Sequence, residues 1–568
     1  MQFLNLPEDV LVLCFSFCDV GDLLRLESVS KRVKELICSR RVWMPRLLRF
    51  DAEDAQRMAP YVDLNTLSVS DLKYLVVSAH RSQEAWTRPG VTSISPTRYQ
   101  EVDLYCDYKG PFMHQILQDN DLDEILLLMF GGRHSRRPVD VKPVSLSFGN
   151  RHEYLVVRRL PYYIQVAEIS SGKCVWQSSN LDVPIIAFDV DSTCVDVGGG
   201  EVFRLLTLSL TQEDGQSICA IKIISFLSKP GGGIQVDDSS TVKRKFRLGE
   251  SASYAALFHT KARLEGDFIV VSDILRIWLI KWKLGRCVRV AWIIELGEPL
   301  QIAGQHLAFL TMAREAADIA GPEPWQDTLT LTVIPLREAF DSHALSFVPE
   351  GEDRVMNELV LGVAQLPAQL FKMTLPKLRY TASTVSYRNE AWFRRKDQGQ
   401  SKSRIEDITF FVMCEFSSGE DLDSEEDSED DSEHRTLMLF QAKAESELST
   451  SGGDVASPET FSTTSRSQAR VLPMSQVGKA LQVEWPTANS NSSCSYMSQS
   501  GRFIFFGEDD ITYALSKRDF ITGSNEPPVL ELEGCSTRDK LISMNPNTGA
   551  ICYLKEDGNT IRISYFGD

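Results

Sequence analysis

Hydrophobic and polar positions divide the chain into a short helical region and a much longer β region. Up to about Trp86, apolar residues recur at helical spacing, whereas from about Val91 they come in short β-branched and aromatic runs separated by turn residues. This change of period predicts a multidomain chain. We expect a small all-α unit at the N-terminus, followed by a large all-β domain.

The N-terminal region is unusually apolar for so short a segment. Eight of the nine residues from Val10 to Cys18 are apolar. Pro7 predicts the start of a first helix that runs to about Cys18, and Asp22 and Ser30 predict the starts of two more. A unit of fewer than 50 residues without staples buries too little surface to be stable alone. Either the rest of the chain or a partner protein must therefore cover its surplus apolar surface.

A further amphipathic helix is predicted between Asp63 and Trp86. Ser70 and Asp71 give its start signal, and the segment from Thr87 to Gly90 gives a strong break. We interpret residues 49–95 as a helical linker. This helix either ties the N-terminal unit to the β region or is an ordinary core helix.

The residue order of the first 48 positions resembles the F-box motif from end to end. The matching features are the opening Leu6-Pro7, the central run from Leu26 through Val29-Ser30-Lys31, and the closing Trp43. Cys14 and Cys18 stand where the family more often has Ile or Leu. The helix after residue 48 is similar to the one that follows the F-box in many fungal F-box proteins.

This resemblance implies a function that composition does not supply. F-box segments bind the Skp-family adaptor of cullin-based ubiquitin ligases, and the remainder of an F-box protein usually captures the substrate. The resemblance therefore implies a substrate-recognition subunit of an SCF-type ligase. Carried over by position, the adaptor-binding face comprises Leu6, Pro7, Val10, Leu11, Leu23, Leu24, Leu26, Val29 and Trp43. The alternative is a non-degradative β-propeller scaffold whose F-box-like helices serve only for packing.

Residues 96–568 are predicted to form the β domain, which would capture the substrate. The phrases from Ile164 to Trp176 and from Leu275 to Val288 look like the hairpin between the third and fourth strands of a WD-repeat-like propeller blade. Neither contains a Trp-Asp dipeptide. The spacing of short strands predicts a β-propeller with six or seven divergent blades, and a β-sandwich or mixed β assembly is the alternative.

Two insertions interrupt the β pattern. Residues 417–434 form a Ser/acidic run and residues 445–470 are rich in Ser, Thr and Gly, so both are predicted to be disordered. Ser424, Ser428 and Ser432 each precede acidic residues, which makes them candidate phosphorylation sites. The acidic run is interpreted as a solvated hairpin tip, and the alternative is that it steers a basic partner toward the β domain.

Composition excludes several other classes of protein. The formal net charge of −18 disfavours binding to a nucleic-acid backbone. The twelve cysteines are scattered singly without metal-ligand spacing, which favours reduced thiols in the core. Without a membrane span or signal sequence, the chain is predicted to be cytoplasmic or nuclear.

The sequence also lacks the motifs of common enzyme classes. There is no GxxxxGK[ST], HExxH or GxSxG motif, and no GxGxxG follows a strand. The eight histidines are spread widely, so no acid/base pair is proposed. We therefore predict a non-catalytic protein with no catalytic, cofactor-binding or metal-binding residues. Its partners are predicted to be the Skp-family adaptor, through it a cullin, and a protein substrate that the sequence does not identify.

Overall fold

The structure is a computed structural model, and part of the chain is described. The described residues are 6–49, 68–87, 93–103, 139–145, 153–159, 163–169, 171–178, 185–191, 201–213, 216–228, 234–248, 260–273, 276–290, 296–303, 305–316, 325–343, 355–376, 379–389, 408–417, 434–444, 470–484, 494–497, 502–506, 512–516, 520–521, 530–533, 540–545, 550–555 and 560–566. The three candidate phosphorylation sites lie outside these residues, and so do the two predicted insertions apart from their end residues 417, 434 and 470.

Short helices form the N-terminal part, as the apolar periodicity predicts. The helices are α1 (Glu8–Phe15), α2 (Val20–Leu26), α3 (Lys31–Ile37), α4 (Arg40–Arg49), α5 (Val69–Thr87) and, within the β region, α6 (Leu336–Asp341). Helix α1 begins directly after Pro7, and the Ser30 hydroxyl accepts a hydrogen bond from the Val33 N–H at 3.2 Å, which caps α3. The predicted cap of α2 is wrong, because its N-cap residue is Asp19 and Asp22 lies inside the first turn.

Helices α1 to α5 share one apolar core. Its buried side chains are Leu11, Phe15, Val20, Leu23, Val33, Ile37, Val42, Trp43, Leu72 and Val76. The last two come from α5, whose start is capped by reciprocal hydrogen bonds between Ser68 and Asp71. Helix α5 thus completes the core of the preceding helices, and part of the surplus apolar surface is covered within the chain.

The β region consists of short strands, as the short β-branched and aromatic runs predict. In chain order they are β1 (Ser93–Ile94), β2 (Arg98–Asp103), β3 (Val139–Ser145), β4 (Glu153–Arg159), β5 (Tyr163–Glu168), β6 (Cys174–Gln177), β7 (Ile185–Asp191), β8 (Glu201–Glu213), β9 (Gln216–Ser228), β10 (Ile234–Arg247), β11 (Lys261–Glu265), β12 (Phe268–Ser272), β13 (Ile277–Lys281), β14 (Arg286–Val290), β15 (Leu296–Ala303), β16 (His306–Ala316), β17 (Trp325–Pro335), β18 (Glu358–Leu361), β19 (Gln369–Thr374), β20 (Arg379–Asn389), β21 (Ile408–Ser417), β22 (His434–Ala444), β23 (Arg470–Pro473), β24 (Ser475–Gln476), β25 (Leu481–Glu484), β26 (Cys494–Met497), β27 (Arg502–Phe506), β28 (Thr512–Ser516), β29 (Leu530–Leu532), β30 (Lys540–Asn545), β31 (Ala550–Leu554) and β32 (Thr560–Tyr565).

The described strands form seven sheets that follow one another along the chain. Sheet 1 is β3-β4-β5-β6, sheet 2 is β7-β8-β9-β10, sheet 3 is β11-β12-β13-β14-β18, sheet 4 is β15-β16-β17-β19-β23, sheet 5 is β20-β21-β22 with β24 and β25 both on β22, sheet 6 is β26-β27-β28-β29-β1, and sheet 7 is β30-β31-β32-β2. The two sequence phrases that resemble blade hairpins are β5-β6 and β13-β14, the third and fourth strands of their sheets. That prediction is confirmed.

The first strands of the seven sheets form a closed ring. Strands β3, β7, β11, β15, β20, β26 and β30 each contact the next in this order, and β30 contacts β3. Apolar clusters fill the spaces between neighbouring sheets, for example where Phe246 of sheet 2 meets Trp278 of sheet 3 with ring centroids 5.6 Å apart. This arrangement is a seven-bladed β-propeller. It agrees with the predicted large all-β domain and with the higher of the two predicted blade counts.

The last sheet of the ring, sheet 7, is completed by a strand from the N-terminal end of the domain. Strand β2 pairs antiparallel with β32, from Arg98 opposite Tyr565 to Asp103 opposite Thr560. Sheet 7 therefore combines one early strand with three late ones. The Glu101 carboxylate lies 2.5 Å from the Lys555 ammonium and 2.6 Å from the Arg562 guanidinium, which joins the two ends of the domain by charge as well.

Three sheets carry a fifth strand borrowed from elsewhere in the chain. Strand β18 pairs parallel with β14, β23 with β19, and β1 with β29. Each borrowed strand lies in the connection that leads to the outermost strand of the next sheet. We call these three strands the straps, because each one ties a sheet to its successor.

Candidate functional site

Helix α1 is apolar on both its buried and its exposed side. Leu11 and Phe15 are buried in the helical core, whereas Leu13 of α1 and Phe17, two residues after the end of α1, are 58 % and 70 % exposed. Burying an apolar side chain of this size is favourable by about 1.5–3 kcal/mol relative to leaving it in water. Both residues are largely exposed in the described structure, so the exposed side of α1 together with Phe17 is a candidate binding surface.

The residues predicted for the adaptor-binding face fall into three groups. Pro7, Val10 and Val29 are exposed. Leu6, Leu24 and Leu26 are half-buried at the margin of the core. Leu11, Leu23 and Trp43 are fully buried within it. The structure therefore places part of the predicted set on the surface and part of it beneath that surface.

Trp43 and Arg46 of α4 fix the ends of two other helices. The Trp43 indole N–H donates to the Ile37 carbonyl at 2.8 Å, at the end of α3. The buried Arg46 guanidinium donates to the Phe15 carbonyl at 2.6 Å and also to the Cys18 carbonyl, at the end of α1. The Phe15 carbonyl also accepts from the Cys18 N–H at 3.2 Å, in the turn that follows α1. One helix thus fixes the positions of two others and of the exposed apolar side.

Helix α5 is fixed to the same unit by charge. The Lys73 ammonium lies 2.5 Å from the Glu27 carboxylate, in a largely buried ion pair, and 5.9 Å from the centre of the Trp43 ring. The segment interpreted as a linker therefore contains a helix that belongs to the helical unit. Its last part contains β1, which pairs with sheet 6.

The sequence interpretation missed Leu13, Phe17 and Arg46. The signal for the first two was present, since Val10 to Cys18 is apolar on every side of the predicted helix. The motif resemblance directed attention to other positions. Arg46 gave no sequence signal, because its role depends on two carbonyls that only the fold brings near.

The helical unit also has a match among known protein families. Residues 3–45 match the family described as the F-box domain. These residues form an F-box domain. The F-box covers α1 to α3 and the first half of α4, and it includes every residue of the predicted adaptor-binding face. No curated protein sequence matches the chain.

Several solved structures have a similar course of the chain. The Cps50 (Swd1) β-propeller domain of Myceliophteria thermophila covers 75 % of this chain and 99 % of its own, at 9 % identity and a TM-score of 0.33. The α-L-arabinofuranosidase Arb93A of Fusarium graminearum covers 76 % and 93 %, at 9 % identity and a TM-score of 0.29. The WD40 domain of SCAP from fission yeast covers 77 % and 76 %, at 10 % identity and a TM-score of 0.26. Similarity at this level says nothing about function, and the strand order given above defines the propeller.

The described part of the propeller contains buried thiols but no cluster of metal-ligand side chains. Burial raises the pKa of Cys219, Cys287 and Cys414, and it raises the pKa of Cys552 to about 12. These four thiols stay protonated at neutral pH and pack as small core residues. Across the described residues, no group of three or more His, Cys, Asp or Glu side chains is arranged to hold a metal ion. Within the same residues, no helix has the length and apolarity needed to cross a bilayer.

Proposed function

We propose that this chain is the substrate-recognition subunit of an SCF-type ubiquitin ligase. In this proposal the F-box binds a Skp-family adaptor, and through it a cullin, while the propeller holds the protein substrate. The observation that carries the proposal is the exposed apolar side of α1 within a matched F-box domain. The chain supplies positioning, and other subunits carry out ubiquitin transfer.

The proposed contact surface differs from the predicted face in its membership. Leu6, Pro7, Val10 and Val29 are retained from the prediction, and the exposed Leu13 and Phe17 join them. Leu24 and Leu26 lie at the margin of this surface. Leu11, Leu23 and Trp43 support it from below, since their side chains are buried in the core of the unit.

The alternative function is a scaffold whose F-box-like helices serve only for packing. Helix α5 gives this reading some support, because Leu72 and Val76 complete the F-box core from within the chain. However, Leu13 and Phe17 are largely exposed in the described structure. A purely internal packing role leaves these two side chains unexplained, so the ligase function is the better supported of the two.

Co-purification with a Skp-family adaptor tests the proposed function. Replacing Leu13 and Phe17 together by Ala removes two apolar side chains from the contact surface. At about 1.5–3 kcal/mol for each side chain buried, adaptor binding should fall at least tenfold. The Leu6→Ala/Pro7→Ala variant should also lose at least tenfold, since Pro7 sets the start of α1.

A matched control truncates two apolar side chains elsewhere. Leu284 and Ile521 lie on the propeller and are exposed to a similar extent, 53 % and 59 %. The Leu284→Ala/Ile521→Ala variant should bind the adaptor as the parent chain does. Undiminished adaptor recovery with both F-box variants would contradict the proposed function.

A further inference from the structure

One region of the propeller is basic, whereas the chain as a whole is acidic. Residues 241–290 contain eleven Lys and Arg against four Asp and Glu, although the whole chain has a net charge of −18. This segment covers the last seven residues of β10, the outer strand of sheet 2, and the first four strands of sheet 3. Basic charge is therefore concentrated on two adjacent sheets.

Part of this charge lies in a row on one face of sheet 2. Along β10, Lys243, Lys245 and Arg247 alternate with the buried Arg244, Phe246 and Leu248. The buried set faces sheet 3, and the alternating set faces the other way and is fully or partly exposed. In the neighbouring strand β9, the exposed Lys222 lies directly opposite Lys243. We call Lys222, Lys243, Lys245 and Arg247 the basic strip.

The basic strip is unfavourable for the fold by itself. Like charges directly opposite each other on an antiparallel pair destabilise the sheet. Other basic side chains of the region have acidic partners, such as Arg263 with Asp189 and Lys283 with Asp267. Lys222 and Lys243 form no ion pair with any residue that the structure describes. The repulsion between these two lysines is therefore not relieved in the described part of the chain.

We propose that the basic strip docks an acidic segment of a partner protein in extended conformation. Alternate residues of a strand lie about 6.8 Å apart, so the three basic side chains of β10 match the alternate side chains of an extended peptide. Lys222 lies beside the first of them at about 5 Å between Cβ atoms, which doubles the charge at that end. The peptide is expected to carry Asp or Glu at every second position.

A peptide fits this surface better than a nucleic acid does. Proteins that bind single strands without pairing combine basic grooves with exposed aromatic side chains on which bases stack. Within the described residues, the exposed aromatic side chains are Phe17, Tyr74 and Tyr99, and none belongs to sheet 2 or sheet 3. The acidic remainder of the chain also repels a long polyanion more than a short acidic segment.

In the ligase proposed above, the partner with the acidic segment is the substrate. That identification rests on the proposed function, whereas binding of an acidic peptide does not. If the chain binds the peptide but no adaptor, the result supports this inference and contradicts the proposed ligase function. If the chain binds the adaptor but no peptide, the result supports the ligase function and contradicts this inference.

Fluorescence anisotropy with the full-length chain tests the inference. The probe is a labelled twelve-residue peptide of alternating Glu and Ser, and a peptide of alternating Lys and Ser serves as its charge control. The Lys222→Thr/Lys243→Thr variant should bind the acidic peptide at least fivefold more weakly. The matched Lys173→Thr/Lys479→Thr variant has the same net charge and changes two exposed lysines in connections outside sheets 2 and 3, so its affinity should stay within twofold of the parent.

The same variants separate binding from folding. Removing the opposed lysines relieves repulsion, so the melting temperature of the Lys222→Thr/Lys243→Thr variant should equal or exceed that of the parent chain. Equal losses of affinity in both double variants would overturn the inference, because they would show a general charge effect. Tighter binding of a twelve-nucleotide single-stranded RNA than of the peptide would overturn it as well. So would peptide binding that is seen only after deletion of residues 420–433, because this chain's own acidic run would then be the occupant.

Discussion

Trp43 shows how one residue supports a surface without being part of it. Motif position predicts it on the adaptor-binding face, and its fully buried side chain holds α3 by donating to the Ile37 carbonyl. Its ring also lies against Lys73 of α5. The role of this residue in adaptor binding stays a prediction. Its role in the helical unit is to join three helices at one point.

Replacing Trp43 by Phe should destabilise the helical unit while keeping most of its packing. The Phe ring fills part of the same space but has no N–H, so the Ile37 carbonyl loses its donor in a buried position. Loss of such a partner costs about 1–3 kcal/mol. Hydrogen exchange of α3 and α4 amides in the full chain should show this loss of protection.

The Leu13→Ala variant is the control for that experiment. Leu13 is exposed, so its truncation should leave the exchange rates of α3 and α4 unchanged and weaken adaptor binding instead. If Trp43→Phe left protection unchanged, the hydrogen bond to Ile37 would contribute nothing measurable.

The candidate site was only partly predictable because α1 has apolar residues on every side. Periodicity assigns the buried face of a helix when its other face is polar. In α1 the choice between Leu11 and Leu13 depends on the positions of α3, α4 and α5, which sequence spacing does not give. The existence of the helix and its start at Pro7 were predictable, since both depend on local signals.

At the scale of elements, the three straps are the least predictable part of the propeller. They contain two to four residues each and pair in parallel with strands that are distant in sequence. The strands of hairpins were predictable because their partners are close in the chain and turn residues separate them. Each strap pairs instead with a strand of the preceding sheet, and no local signal marks that choice.

Glu358 is the charged contact of the strap β18. Its carboxylate lies 3.1 Å from the Arg289 side chain of β14. Burial raises the pKa of Glu358, and Arg289, the Trp278 side chain and Arg247 offset only part of this effect. The raised pKa means that the folded state binds this proton more tightly than the unfolded state. The contribution of Glu358 to stability therefore falls as the pH rises through its folded pKa.

The Glu358→Gln variant tests this pH dependence. Between pH 7 and about pH 5 the parent chain should gain stability relative to the variant, because only the parent takes up the proton. Chemical denaturation at the two pH values gives the difference in free energy of unfolding. A difference that is constant, or that changes in the opposite direction, would show that the carboxyl is not held at a raised pKa.

At the scale of the whole molecule, closure of the ring depends on β1 and β2. Their partners lie in β29 and β32, near the other end of the chain. This explains why the sequence predicted six or seven blades without deciding between them. Closure pairs an early strand with late ones, and this pairing leaves no signal in the spacing of neighbouring strands.

Two N-terminal truncations test the dependence on β2. A fragment that starts at Val91 keeps β1 and β2, so it should be a soluble β protein that melts cooperatively without the F-box. A fragment that starts at residue 104 lacks both strands and leaves the edge of β32 unpaired. It should aggregate or melt at a clearly lower temperature, because an open edge strand promotes association.

Circular dichroism and size-exclusion chromatography distinguish these outcomes. Equal solubility and equal melting temperatures of the two fragments would show that β2 is dispensable for closure. Aggregation of both fragments would show instead that the helical unit and the propeller share one core, as the scaffold alternative requires.

Closure by an early strand sets an order of events during protein synthesis. Glu101 of β2 can pair with Arg562 only after the ribosome has added 461 further residues. At about 5–20 residues per second, this takes about 25–90 s on the ribosome. Residues 3–45 are made before the propeller, and among the described residues α5 completes their core. The F-box therefore completes its core while the propeller is still an open chain with unpaired edges, and the two halves of the proposed function mature at different times.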